Sequence, residues 1–353
     1  KALRGDLALP VPPGAMVLAW RLRDDSPGGK DVDVGSFRDL SGGVGPQGRL
    51  EWDVPEGRWL VGIFQCVPGG ICDKGNGPEV DPGSREAVLF HLDFIFDRLQ
   101  PRLGRYFGST LVDVASDSWE YEPRGGARYW SPALLAVFPR VAGYGLRERL
   151  HALLGHGPDR ERTLADLDRV EREAIRKSFF ATTTEALNAR KLLHRPQVRG
   201  RGLSRDFFEA FAASDIPEIE EEVFLPEAVW TARTLGKPIV SAEAFTFLSG
   251  HGRNLEMGGQ ERPHEGPLAD PGRQWETSPA MLRWHASAHF ARGVNRIQMH
   301  SFGYSPPGVP PPGWRIYAEI HLNRNVPWWP YVKSFSTWVA RTQWVLRSGE
   351  PVA

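Results

Sequence analysis

Cysteine is nearly absent. The 353 residues contain only Cys66 and Cys72, and two thiols cannot build a structural zinc site, which takes four ligands. Their spacing leaves open a local disulfide or two reduced thiols. An excess of either charge is also missing. Lys and Arg number 43, and Asp and Glu number 43, which gives no electrostatic footprint for nucleic acid or an anionic membrane. No apolar run is long enough to span a bilayer, and no signal peptide is visible. The chain starts at Lys1 and stops at Ala353. Both ends read as cuts through a longer protein, so localisation signals are expected elsewhere. H-E-x-x-H, the P-loop and the nucleophile-elbow serine are all missing, as is any internal repeat. Gly200-Arg201-Gly202 lacks the third glycine and acidic follower of a dinucleotide fingerprint and reads as a turn. The basic stretch 195–205 (RPQVRGRGLSR) reads as a solvated loop.

What the chain does have is apolar and aromatic bulk. Hydrophobic residues make up 41%, enough for a sizeable core. Thirteen tryptophans are mostly core and interface packing, with a few available as apolar walls for sugar rings. Residues 1–75 read as a partial β-rich, sandwich-like domain: apolar runs at 15–22 and 59–65 and an alternating stretch at 51–54 are separated by Gly- and Pro-rich clusters. From 76 to 353 helical patterns alternate with short β-like runs. Helices are predicted over 84–103, 131–138, 146–154, 162–191, 281–291 and 332–346, and strands over 110–114, 192–198, 238–241 and 296–300. That alternation predicts an α/β fold, a (β/α)8 TIM-like catalytic barrel, with a doubly wound open sheet as the competing arrangement. The Pro-rich segment 305–313 (SPPGVPPPG) follows the 296–300 strand, where a barrel carries an active-site loop.

Carboxylates at the ends of β-like runs are the candidate chemistry. Residues 110–120 (TLVDVASDSWE) deliver Asp117 and Glu120, with Trp119 between them, and 238–246 (PIVSAEAFT) deliver Glu243 in an apolar setting. Asp215, Glu218 and Glu220 sit in what reads as a Pro-broken loop (DIPEIEEE). A barrel gathers the C-terminal ends of its strands at one mouth, so residues distant in sequence can face one substrate. Glycosidic cleavage needs two such groups, one to protonate the leaving oxygen and one to activate water or attack the anomeric carbon. A lone strand-end carboxylate is more often a salt-bridge or capping partner. His300, ending its strand and followed by Phe302 and Tyr304, is a candidate sugar contact. Glu79 and Asp81 in GPEVD are turn residues by default and cation ligands on the sharper reading.

In order along the chain come residues 48–66 (GRLEWDVPEGRWLVGIFQC), GPEVD, SREA, HLD, DSWE, FFEAFAASDIPEIE, GKPIVSAEAFTF, GVNRIQMHSF and HLNRNVPWW. Together they resemble glycoside hydrolase family 106, the α-L-rhamnosidases, from about residue 34 to the end. The resemblance implies a (β/α)8 barrel among β domains in a larger secreted or periplasmic bacterial enzyme. It implies hydrolysis of terminal α-L-rhamnosides with inversion, with Glu120 as general acid and Glu243 as general base. Asp117, Trp119, Asp215, Glu218, His300 and Tyr304 are the expected substrate contacts. It also implies a calcium ion, for which Glu79, Asp81 and Asp117 offer oxygen ligands. Residues 192–204 are shorter and more basic than the family pattern. A non-catalytic carbohydrate-binding remnant and a retaining glycosidase remain the alternatives.

Overall fold

A computed structural model of the chain describes residues 7–23, 30–67, 80–120, 129–199, 207–220, 226–245, 277–300, 302–310, 313 and 322–349. The chain divides into two units. One comprises 1–98 and 123–182, the other 99–122 and 183–353. The division differs from the boundary at residue 75 read from the sequence, because a helical segment following residue 122 joins the N-terminal strands.

In the first unit, β1 (Leu7–Pro10) pairs antiparallel with β4 (Arg49–Trp52), and β2 (Met16–Leu22) lies between β3 (Val32–Asp39) and β5 (Trp59–Phe64). After α1 (Arg85–Leu103), which runs across the division, come α2 (Pro132–Ala142), a 3-10 turn at Arg147–Leu154, α3 (Arg160–Ile175), a π segment at Arg176–Ala181 and α4 (Thr182–Asn188), which also crosses it. The sequence sets the ends of α2. Ser131 caps it, accepting from the Ala133 N–H at 3.3 Å; Pro132 occupies the first turn; Gly143 takes the left-handed turn that ends it. Leu18 and Trp20 of β2 pack with Leu134, Phe138, Leu150, Leu167 and Val170 in one buried cluster. The Trp20 indole N–H finds the Glu148 carbonyl at 2.8 Å, so a large ring is buried without leaving a donor unsatisfied. Cys66 is exposed and carries no disulfide among the described residues, which do not include Cys72.

The second unit is built on five parallel strands: β6 (Asp113–Glu120), β7 (Leu193–Arg199), β8 (Glu218–Glu220), β9 (Ser241–Ala244) and β10 (Arg296–Met299), in the spatial order β10-β9-β8-β7-β6. Between and after them run α5 (Phe207–Ala212), α6 (Pro226–Thr234), α7 (Pro279–Ala291) and α8 (Val332–Arg347). Each strand neighbours the next in sequence, as in a singly wound barrel. The sheet is curled. A flat sheet would hold its edge strands about 19 Å apart, four spacings of about 4.8 Å. Yet Arg296 of β10 lies 2.6 Å from Asp113 of β6, which only a rolled sheet permits. The described residues form a curled half-barrel of five strands; the eight-stranded barrel expected from the sequence is not shown.

Alternation along these strands separates two faces. Val198, Ile219, Ala242, Ala244 and Ile297 are buried apolar residues, the face that helices cover. The intervening residues are polar and meet one another on the concave side. Among the described residues, no helix is long and apolar enough to cross a membrane.

Candidate active site on the concave face

The polar residues of the concave face are joined in a network. Arg195 of β7 donates from Nε to Asp113 at 2.9 Å and from a terminal nitrogen to Glu218. Ser241 of β9 donates to the same Glu218 oxygen at 2.6 Å, and Arg296 pairs with the other Asp113 oxygen. Arg195 and Glu218 are 6% and 3% exposed, so the charges are compensated by one another rather than by water. Burial raises the Asp113 carboxyl, but hydrogen bonds from Arg195 and Arg296 outweigh it and hold it below its ordinary value. Burial also pushes Glu218 up, Arg195 and Ser241 oppose, and the nearby Glu243 charge pushes further up; the net direction is upward.

Glu243 stands beside this network. It lies inside β9, opposite Gln298 of β10 and Glu220 of β8, whereas the sequence reading ended the strand two residues before it. The shift has a local cause: Val240 is held by the Asn295 side chain, which takes its N–H at 2.9 Å, so the ladder starts at Ser241. Gln197 of β7 donates its amide N–H to Oε2 of Glu243. The His300 ring lies on the other oxygen, with Nε2 3.6 Å from Oε1. Phe245, two residues on, is fully buried at φ +74°. A side chain other than glycine rarely takes that backbone conformation, and such strain persists where the surroundings enforce it, often at functional sites. Its ring packs 6.1 Å from Phe335 of α8.

Glu120 is the last residue of β6, and its backbone pairs with Arg199. A register shift between Ser116 and Trp119 adds one residue to β6. Before it, Ala115 pairs with Arg195; after it, residue 120 and not 119 falls in the row of Arg199, two positions beyond Gln197. The side chains of Trp119 and Glu120 lie outside the described residues, as does Glu79. Asp117 is exposed within β6. Tyr304 is exposed on the segment after β10, a segment held by buried Asn323, which donates to the Gly303 carbonyl at 2.9 Å.

Three expected site residues have structural partners instead. Asp215 sits at the N-terminal edge of the sheet, where it accepts the His194 backbone N–H at 2.7 Å; the mouth of a barrel lies at the opposite edge. Glu218 is consumed by Arg195 and Ser241. Asp81 accepts from Tyr129, from Ser131 at 2.7 Å and from the Gly83 N–H at 3.0 Å, so donors already fill the lone pairs that a cation would need. Among the described residues no cluster of three His, Cys, Asp or Glu could hold a metal.

Asp113, Arg195, Gln197, Ser241 and Arg296 were not singled out by sequence. Arg195 in particular is buried, against its reading as part of a solvated loop. The available signal was the alternation of Arg195 and Gln197 inside the run predicted to be a strand, 192–198, with Arg199 continuing it just beyond.

A curled parallel sheet with a polar concave face and a carboxylate held on it is the kind of place where barrel-related enzymes carry their chemistry. The family model of glycoside hydrolase family 106, alpha-L-rhamnosidase, matches residues 23–353, and the chain belongs to that family. A solved structure of a rhamnosidase from Novosphingobium sp. PP1Y is similar in fold, with a TM-score of 0.65 at 20% identity over 91% of this chain. A curated protein of Formosa agariphila, provisionally named a beta-glucuronidase, is 26% identical over 333 residues, 89% of this chain. The chain spans 31% of the first and 26% of the second.

Proposed function

We propose that this chain forms the catalytic region of a glycoside hydrolase that removes terminal α-L-rhamnosyl groups with inversion of configuration. The observation that carries the reading is Glu243: a carboxylate on the concave face of the half-barrel, held at one oxygen by Gln197 and flanked at the other by His300. In this reading Glu120 is the general acid and Glu243 the general base. Glu243 takes a proton from water as the water oxygen bonds to the anomeric carbon. On the opposite face the bond from that carbon to the glycosidic oxygen breaks, and Glu120 gives its proton to the leaving oxygen. One proton is accepted and one donated, so the pair ends with its charges exchanged. Inversion requires roughly 6.5–9.5 Å between the carboxyls to seat the water. The pairing of residue 120 with residue 199, two positions beyond Gln197 along β7, supports the assignment of the acid. Asp117 and His300 would meet sugar hydroxyls, and Trp119 and Tyr304 would supply apolar walls. A secreted or periplasmic location rests on the family resemblance alone, and no step depends on it.

The name of the Formosa relative favours a second reading, in which the sugar is a glucuronide. A uronate carboxylate needs a cation. Among the described residues of the concave face, Arg195 is tied to Asp113 and Glu218, and Arg296 to Asp113, which disfavours it.

The test is a kinetic comparison of wild type, Glu120→Gln and Glu243→Gln in the complete protein, on activated and unactivated α-L-rhamnosides and on an aryl β-glucuronide. Loss of the base should lower the rate on both rhamnosides by about 10²–10⁴-fold. Loss of the acid should matter much less for an activated phenol, which leaves without protonation. Turnover by Glu243→Gln at the wild-type rate, or cleavage of the glucuronide alone, would refute the proposal.

A further inference from the structure

We infer that Gln197 is a positioning residue for Glu243: its amide holds Oε2 and turns the carboxylate so that Oε1 faces the reacting water. The inference rests on Glu243 being the general base, as proposed above. Gln197 is 1% exposed and lies on β7. Its contact to Glu243 reaches across β8, so it depends on the curl of the sheet. A carboxylate only accepts hydrogen bonds, so the amide must present its nitrogen to it. Three features follow from that choice of side chain.

First, an amide is a donor at every pH. A general base must be ionised before it can accept a proton, and a donor to the charged form favours that form. The neighbouring Glu218 carboxyl is itself pushed up by the Glu243 charge, so the two carboxyls lie close together on the concave face. Gln197 donates to Glu243 there without adding a charge that would titrate. Second, the two oxygens of Glu243 become inequivalent. Oε2 is occupied by the buried amide, and Oε1 is left toward His300. Third, Gln197 is anchored by its place in the sheet. Its backbone pairs with Glu218, whose carboxyl is fixed by Arg195 and Ser241. The buried charge network thereby serves as a foundation for the strand that carries the amide, and orientation of this kind governs how well a base is aimed.

The experiment is the pH profile of kcat/KM for an aryl α-L-rhamnoside with the complete protein, in wild type and in Gln197→Met, which keeps the length and removes the donor. We expect kcat to fall about 10–100-fold with KM changed less than threefold. The acid limb of kcat/KM should move to higher pH, because a carboxylate that loses a donor is easier to protonate. Should Gln197→Met not fold, Gln197→Glu keeps shape and polarity. There the two carboxyls share a proton, and the acid limb should move up further. An unchanged acid limb in whichever variant folds, or a change confined to KM, overturns the inference. Glu243→Gln measured alongside separates the two claims. If that variant stays active, the general-base reading itself fails. If it is inactive while the Gln197 variant keeps the wild-type profile, only the positioning role fails.

Discussion

A single aspartate illustrates how much of this site is held by charge. Asp113 receives two arginines on the first row of the half-barrel, at 2.9 and 2.6 Å. Replacing it with asparagine leaves both guanidinium groups undercompensated in a buried place, and breaking such a pair from one side is strongly destabilising. Asp113→Asn should lower stability by about 3 kcal/mol at pH 7, measured by chemical denaturation. The pH dependence has a definite sign. The Asp113 carboxyl titrates below its ordinary value in the folded state. Its contribution is therefore present above that ordinary value, about 3.9, and is lost as pH falls through the lower folded value. The gap between variant and wild type should narrow below about pH 4, and equal stability at pH 7 would contradict the pairing described. The sequence singled out Glu243 as a carboxylate flanked by alanines after a β-like run, and the structure places it on the concave face. Asp113, Arg195 and Gln197 were hidden, since alternating polar residues in a strand usually mean a solvated face, and only a rolled sheet turns that face inward.

Elements were legible in proportion to their length and periodicity. The helix at 84–103, the strand at 192–198 and the strand at 296–300 all have close counterparts in α1, β7 and β10. The long helix predicted at 162–191 is present as α3, a π segment and α4 in succession. Strand β8 was missed because it has three residues, follows Pro217 and is two-thirds glutamate. Its pairing is decided by its neighbours rather than by propensity. The connection from α4 to β7 offers a test at this scale. Lys191 is exposed and takes φ +62°, a conformation that disfavours residues with a Cβ. Glycine fits it freely, although it also gives the unfolded chain more freedom. Lys191→Gly should raise stability by roughly 0.5–1 kcal/mol, read as a higher denaturation midpoint with an unchanged slope. A loss of that size would show that the lysine side chain contributes more than the backbone strain removes.

For the molecule as a whole, the sequence conveyed strand–helix alternation and a β-rich start, and the family. It did not convey which distant segments close on one another. The grouping of α2 and α3 with Trp20, or of Arg296 with Asp113, rests on contacts between residues over a hundred positions apart, and no local pattern encodes them. The concave polar face emerges only at this scale. It brings together Gln197 of β7, Glu243 of β9 and His300 just past β10, and lines up residue 120 on β6. From that assembly comes the central proposal, that the complete protein cleaves α-L-rhamnosides by direct displacement with water. Proton NMR of the complete protein acting on an aryl α-L-rhamnoside, read before the product equilibrates, tests it most directly. Inversion makes β-L-rhamnose the first-formed anomer; α-L-rhamnose appearing first, or no release of rhamnose, would contradict it.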